Sequence, residues 1–236
     1  THPVLAIPEL MSVLMDDNGY SWDRAWAITK ETMAYTNHTV MSEALEKWPV
    51  SYVSNLLPRL MMIIEEIDRR VVREVASRNN NDHGLVERVR VIQGGQVHMA
   101  LLAIHGSHAI NGVAKIHSEI LKDDLFNDFY RMDPEMFQNK TNGITPRRWM
   151  LYCNPQLKNM LDELIGTEYQ SDYKHFADLM KYVDDPAVQE RFLAVKQERK
   201  NILAAYIKDL TGIEVDPYSI FDTQAKRLHA YKRQLL

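Results

Sequence analysis

The sequence has little of several features that would narrow its class. It contains one cysteine, Cys153, which excludes an internal disulfide and favours a reducing, cytoplasmic location. Its longest apolar run is six residues, 99–104, whereas a membrane span needs about 20 residues. Lys and Arg number 28 against 32 Asp and Glu, a net charge of −4, which disfavours a chain that coats nucleic acid. We therefore expect neither a membrane nor a nucleic-acid partner.

The remaining composition is that of a folded protein with helical patterning. The 236 residues are 45% hydrophobic and 25% charged, which is typical of globular chains. Apolar residues at spacings of three and four after Pro58 predict a long helix: Leu60, Ile63, Ile64, Ile67, Val71 and Val75. Other predicted elements are a helix starting near residues 7–9, a helix after Ser21, helices over 97–105 and 177–210, a turn at Asn111–Gly112 and a short strand over 219–225.

The C-terminal segment 226–233 is the densest group of cations in this acidic chain. Its side chains include Lys226, Arg227 and Lys232. Arginine offers a fork of donors and lysine a compact charge, and both suit the oxygens of a phosphate. The pattern alone favours the alternative of a solvated helix face or a stripe that binds nucleic acid.

Two further segments carry candidate binding groups. In 142–149, Asn142 offers an amide, Gly143 permits close backbone approach and Trp149 offers a flat surface; the alternative is a helix-initiating turn with a core tryptophan. In 35–39, five hydrogen-bonding side chains follow one another, which suits sugar hydroxyls; the alternative is an ordinary polar loop.

Other reactive residue types give weaker patterns. His105 and His108 have helical spacing, but no third ligand is placed, so we predict no metal site. Cys153 has no neighbouring base and is expected to be a buried thiol.

The ordered motifs of the sequence resemble those of the α-glucan phosphorylase family, which includes the glycogen, starch and maltodextrin phosphorylases. The resemblance covers essentially the whole sequence, at residues 1–3, 6–10, 34–39, 43–49, 56–59, 111–114, 116–119, 139–149, 153–155 and 221–235. It implies an α/β protein of the two-domain B-type glycosyltransferase fold. Within that fold, this chain is expected to be predominantly α-helical with a few short strands.

The resemblance also implies a reaction and a cofactor. Inorganic phosphate attacks the non-reducing end of an α-1,4-glucan and releases glucose 1-phosphate. The cofactor is pyridoxal 5′-phosphate, whose phosphate takes part in proton transfer. The family implies a homodimeric parent protein.

The resemblance assigns roles residue by residue. His38 and Asn142 would hydrogen-bond the glucosyl unit, and Val113 would lie against it. The remaining assignments are His2 and Thr39 to the adjoining pocket, Arg227 and Lys232 to the substrate phosphate, Lys226 to the cofactor phosphate and Trp149 to a position near the cofactor. Arg227, Lys232 and His38 are the expected catalytic residues.

The chain departs from the family pattern in two ways. Ala230 stands where a glutamate is usual in the basic motif, and the cofactor-linking lysine belongs to a downstream motif that this sequence lacks. We therefore expect an internal piece of a phosphorylase, inactive by itself. Residues 1–140 would close the N-terminal catalytic domain and 141–236 would begin the C-terminal, cofactor-side domain. The alternatives are a non-catalytic helical module that binds anions or nucleic acid, and a catalytically silent paralogue.

Overall fold

The computed structural model describes residues 2–223 and residue 225, with side chains from Pro3 onward. The chain divides into two compact units, one ending at Asn142 and the other beginning at Gly143. Their assignment to the two catalytic domains of a longer protein stays a prediction. The strongest predicted phosphate ligands, Arg227 and Lys232, lie outside the described residues, as does Lys226.

The described part of the chain is mainly helical, as predicted. Its α-helices are α1 (Ala6–Ser12), α2 (Trp22–Thr32), α3 (Val50–Leu56), α4 (Pro58–Arg78), α5 (His83–Val89), α6 (Met99–His105), α7 (Lys115–Ile120), α8 (Asn127–Met132), α9 (Pro155–Ile165) and α10 (Pro186–Thr211). Shorter 3-10 or π-helical segments occupy His2–Leu5, Val13–Asp17, Ser42–Ala44, Leu121–Leu125, Pro134–Met136, Arg147–Tyr152, Glu168–Gln170 and Tyr173–Tyr182.

Helix α4 lies at the centre of the core of the first unit. Pro58 begins the helix, at a position where a missing N–H removes no helical hydrogen bond. All six apolar residues of the predicted stripe are buried, and burial of such a side chain contributes about 1.5–3 kcal/mol. The helix packs against α1 and α3. The periodicity prediction for this helix is therefore confirmed.

Six short strands form two small sheets in the first unit. They are β1 (Tyr35–Thr36), β2 (Lys47–Pro49), β3 (Ile92–Gln93), β4 (Gln96–His98), β5 (Ile110–Gly112) and β6 (Phe137–Asn139). Strands β2, β4 and β3 are antiparallel, and Gly94 and Gly95 connect β3 to β4 with positive φ angles of 55° and 75°, as a tight hairpin requires. Strands β1, β5 and β6 pair in parallel, with Tyr35 opposite Ile110 and Ile110 opposite Phe137.

The second unit is built on α9, α10 and the 3-10 segment Tyr173–Tyr182. Side-chain caps start both helices: Asn154 Oδ1 accepts the Leu157 N–H at 3.1 Å, and Asp185 caps α10 in the same way. Such a cap satisfies a backbone donor that has no helical partner. Tyr169 is buried beside α9, and its hydroxyl donates to Asp162 at 2.7 Å.

The structure overturns several local predictions. Val97 lies in β4, so α6 begins at Met99. Asn111–Gly112 belongs to β5 because parallel neighbours on both sides hold the backbone extended. The described residues of 219–225 form no strand. Cys153 is exposed, so its interpretation as a buried thiol was wrong.

Candidate functional site

The carboxyl ends of three parallel strands lie side by side in the first unit. β1 leads into Asn37, His38 and Thr39, β5 leads into Val113, and β6 leads towards Asn142. The sheet order β1-β5-β6 therefore gathers residues that are far apart in sequence, from Asn37 to Asn142. This edge of a parallel sheet is where open α/β folds bind ligands.

Asn37 is the buried centre of the edge. Its side chain is 1% exposed, and its amide nitrogen donates to the Tyr35 hydroxyl at 3.0 Å. The amide oxygen accepts the Thr39 backbone N–H at 3.0 Å and lies 2.9 Å from His117 Nε2. The backbone donor fixes which end of the amide is oxygen, because a main-chain N–H only donates. Asn37 therefore shapes the turn that carries His38.

His117 connects Asn37 to the turn after β5. Its Nδ1 accepts the Val113 backbone N–H at 3.1 Å, so this nitrogen carries no proton. Nε2 then carries the proton and donates to Asn37 Oδ1. We assign this neutral tautomer from the two partners. Burial lowers the pKa of the His117 imidazole below its ordinary value, and the nearby charge of His38 lowers it further.

Gly112 allows helix α7 to approach the end of β5. A Cβ atom on Gly112 would lie 2.6 Å from Ser118 Oγ and 2.9 Å from the Ser118 backbone nitrogen, which is too close for non-bonded atoms. The buried Ser118 hydroxyl in turn lies 2.8 Å from Asn139 Oδ1. The β5–α7 junction is thereby joined to the end of β6.

The next residues bring Asn142 to the same edge. The Lys140 N–H donates to the Gly112 carbonyl at 3.1 Å, and the Asn142 N–H donates to the Val113 carbonyl at 2.9 Å. The peptide groups of Val113 and Asn142 are therefore adjacent. The His38 and Asn142 side chains are exposed, and those of Thr39 and Val113 are half-buried. The edge thus presents an imidazole and an amide on a backbone that is fixed by hydrogen bonds. This arrangement is suited to neutral hydroxyl groups.

The other predicted site residues are placed separately. His2 lies in the first helical turn, and its side chain is outside the described part of the chain. In the second unit, Trp149 is 62% exposed in the segment Arg147–Tyr152, so the alternative of a core tryptophan is wrong. Nearby Arg147 lies over the Tyr173 ring, 5.4 Å from its centroid.

The two histidines with helical spacing each lie beside a different backbone carbonyl. His105 Nε2 lies 2.8 Å from the Val89 carbonyl, and His108 Nδ1 lies 3.1 Å from the Lys30 carbonyl. Across residues 2–223 and 225, no three His, Cys, Asp or Glu side chains are grouped to hold a metal ion.

Sequence reasoning assigned no role to Asn37, His117, Gly112 or Ser118. The first lies within the predicted polar segment 35–39, and the others lie in or next to segments that resemble the phosphorylase family. Spacing carries no signal for the bond between Asn37 and His117, because 80 residues separate them. The one local hint is that His117 lies in the helix that follows β5, shortly after the glycine that ends this strand.

Comparison with known proteins identifies the class. The chain matches the carbohydrate phosphorylase family over residues 1–236 and belongs to that family. It is similar to glycogen phosphorylase, muscle form, of Oryctolagus cuniculus, with 52% identity over 239 residues. The muscle form of Homo sapiens and the brain form of Bos taurus are each 50% identical to it. In each case the match takes in all of this chain and 28% of the relative, so the chain spans about 28% of the length of these curated relatives.

Within the described part of the chain, no helix is both long and apolar enough to cross a membrane.

Proposed function

We propose that the protein containing this chain is an α-glucan phosphorylase that releases glucose 1-phosphate from α-1,4-glucans with inorganic phosphate. Membership of the carbohydrate phosphorylase family supports the reaction class. The observation that carries the proposal is the sheet edge, where His38, Val113 and Asn142 follow the ends of parallel strands. These are the residues that the family resemblance assigns to the glucosyl unit.

The chemistry of the edge suits a sugar ring. The exposed amide of Asn142 both donates and accepts hydrogen bonds, as each sugar hydroxyl does. The imidazole of His38 supplies a further polar contact, and the half-buried Val113 supplies apolar surface. The backbones of Val113 and Asn142 are held by hydrogen bonds of 2.9–3.1 Å, so little order has to be created there when the sugar binds.

The phosphate side of the reaction rests on residues outside the described part of the chain. We assign Arg227 and Lys232 to the substrate phosphate because fixed cations offset the repulsion between neighbouring phosphates. His2 and Thr39 are assigned to the pocket that adjoins the glucosyl unit. Ala230, in place of the family's glutamate, removes a carboxylate from this cationic group.

The proposed cofactor is pyridoxal 5′-phosphate, held by residues of the second unit and its continuation. Trp149 fits a flat ring because its indole is largely exposed, and Lys226 is assigned to the cofactor phosphate. When bound, the cofactor supplies a phosphate group for proton transfer with the substrate phosphate. This chain's own residues bind and orient the glucan and the inorganic phosphate. We also propose a cytoplasmic, homodimeric parent protein.

The test is an assay of the full-length protein that contains this sequence. With pyridoxal phosphate, a maltooligosaccharide and inorganic phosphate, we expect phosphate-dependent release of glucose 1-phosphate. His38→Ala and Asn142→Ala should each lower kcat/KM by about tenfold, the value of one hydrogen bond worth about 1.4 kcal/mol. His83→Ala, at an exposed position that begins α5, is the matched control and should leave kcat/KM unchanged.

A folded, cofactor-loaded protein that releases no glucose 1-phosphate would refute the proposed function and favour a catalytically silent paralogue. Salt-dependent binding to polynucleotides in place of glucan would favour the nucleic-acid-binding alternative.

A further inference from the structure

The feature that the assigned roles leave unused is the half-buried imidazole of His117. No part of the proposed reaction calls on this side chain, yet it joins two of the three segments that carry the glucosyl contacts. Its Nε2 lies 2.9 Å from Asn37 Oδ1, next to His38, and its Nδ1 lies 3.1 Å from the backbone nitrogen of Val113.

Both nitrogens of the ring are occupied by protein groups with fixed roles. The Val113 N–H only donates, and the Asn37 amide oxygen only accepts, since that oxygen also receives the Thr39 N–H at 3.0 Å. The ring therefore has no free nitrogen with which to contact a sugar or transfer a proton. Whatever His117 contributes to the site must act through the groups that it holds.

The groups it holds form one continuous hydrogen-bonded line across the edge. The ordinary backbone pairing of β1 with β5 ends where the Asn37 N–H donates to the Asn111 carbonyl at 2.9 Å. Past that bond, His117 joins Asn37 to the N–H of Val113. The carbonyl of the same Val113 accepts the Asn142 N–H at 2.9 Å. The line thus runs from Asn37 through His117 and Val113 to Asn142.

We propose that His117 is a positioning residue for the glucosyl subsite. It fixes the spacing between the loop that carries His38 and the turn that carries Val113 and, through it, Asn142. This inference rests on the proposed phosphorylase function and deepens it. A link of this kind matters because displacement of a substrate-positioning group by about 1 Å can cost up to about 100-fold in rate.

Three substitutions of His117 test its contact with Val113 and its contact with Asn37 separately. His117→Asn places an amide oxygen where Nδ1 stands, so it retains an acceptor for the Val113 N–H. His117→Gln places an amide nitrogen where Nε2 stands, so it retains a donor to Asn37. His117→Ala retains neither. His83→Ala again serves as the matched control, because this exposed histidine lies in the same unit and away from the sheet edge.

The experiment is steady-state phosphorolysis by the full-length, cofactor-loaded protein, at a temperature where circular dichroism shows each variant folded. For His117→Ala we expect kcat/KM for the maltooligosaccharide to fall by about 10- to 100-fold. The KM for inorganic phosphate should stay close to the wild-type value, because the link holds glucan contacts. His117→Asn and His117→Gln should each recover part of the loss, which a purely structural role would not produce.

A second measurement determines which nitrogen of the His117 ring carries the proton. Long-range proton–nitrogen NMR correlation of the His117 ring should show the neutral tautomer with its proton on Nε2. A proton on Nδ1, or a doubly protonated ring at neutral pH, would overturn the link.

The kinetic outcomes keep the two proposals apart. An active wild-type protein with normal kcat/KM in His117→Ala would overturn the role of His117 and leave the phosphorylase proposal standing. An inactive wild-type protein would overturn the phosphorylase proposal and, with it, the role assigned to His117.

Discussion

Replacement of Gly112 by alanine tests the packing on which the sheet edge depends. The new Cβ atom would lie 2.6 Å from Ser118 Oγ, 2.9 Å from the Ser118 backbone nitrogen and 3.0 Å from its Cα. The hydroxyl can rotate away, but the backbone atoms belong to α7 and move only with the helix. The substitution therefore has to push α7 away from β5.

The expected cost follows from two contributions. Overpacking of a close contact costs about 1–3 kcal/mol. Displacement of Ser118 also removes its hydrogen bond to Asn139, now 2.8 Å long, for about 1 kcal/mol. Together these predict that Gly112→Ala lowers the free energy of unfolding of the first unit by about 2–4 kcal/mol.

The assay is urea unfolding of the purified chain, followed by tryptophan fluorescence and analysed by linear extrapolation. Gly143→Ala is the control, because a Cβ atom there meets nothing within 4 Å and its φ lies outside the left-handed region. A loss smaller than about 0.5 kcal/mol for Gly112→Ala, within the range of ordinary surface substitutions, would refute the reasoning.

Two further predictions concern ion pairs of the first unit. Asp68 is 3% exposed, and its carboxylate accepts from Arg90 at 2.7 Å and from the Ile92 N–H at 3.0 Å, so Asp68→Asn should lower the free energy of unfolding by about 1–3 kcal/mol in the same urea assay. The Arg59 guanidinium, with help from the Ser12 hydroxyl, lowers the pKa of exposed Asp16 to about 2. The stabilisation from this pair is therefore complete above pH 3.8, the ordinary pKa of an aspartate, and is lost as the pH falls through about 2. NMR titration of the Asp16 carboxyl group should give a midpoint of about 2.

Each of these predictions has its own control. Asp17→Asn, at an exposed position, is the control for Asp68→Asn and should leave the free energy of unfolding unchanged. An equal loss of stability in Asp17→Asn and Asp68→Asn would contradict the role of the Asp68 contacts. Arg59→Ala should return the Asp16 midpoint towards 3.8. An unshifted midpoint in that variant would show that the Arg59 contact does not set the pKa.

Local sequence was sufficient for the longest helix of the first unit and for the residue types at the site. The stripe from Leu60 to Val75 identified α4 and its buried face, because helical periodicity is a property of near neighbours. Polar segments 35–39 and 142–149 were recognised as candidate binding groups, and the family resemblance named His38, Val113 and Asn142. These assignments required no knowledge of distant contacts.

Local sequence was misleading where distant contacts outweigh local preference. Asn111–Gly112 has the composition of a turn, yet pairing with β1 and β6 holds it in a strand. Cysteine is among the residue types that are most often buried, yet Cys153 is exposed in the second unit. Burial depends on which segments pack over a residue, and near neighbours do not specify that.

The sequence by itself determined the helical periodicity, the family membership and the chemical groups available for binding. The tertiary structure alone decided that the ends of β1, β5 and β6 share one edge, and that His117 joins Asn37 to Val113 across it. The physical reason is range. Helical patterning and capping act over a few residues. Strand pairing and the imidazole link connect groups that are distant in sequence, such as Asn37 and His117, 80 residues apart, and they form only after the chain has folded.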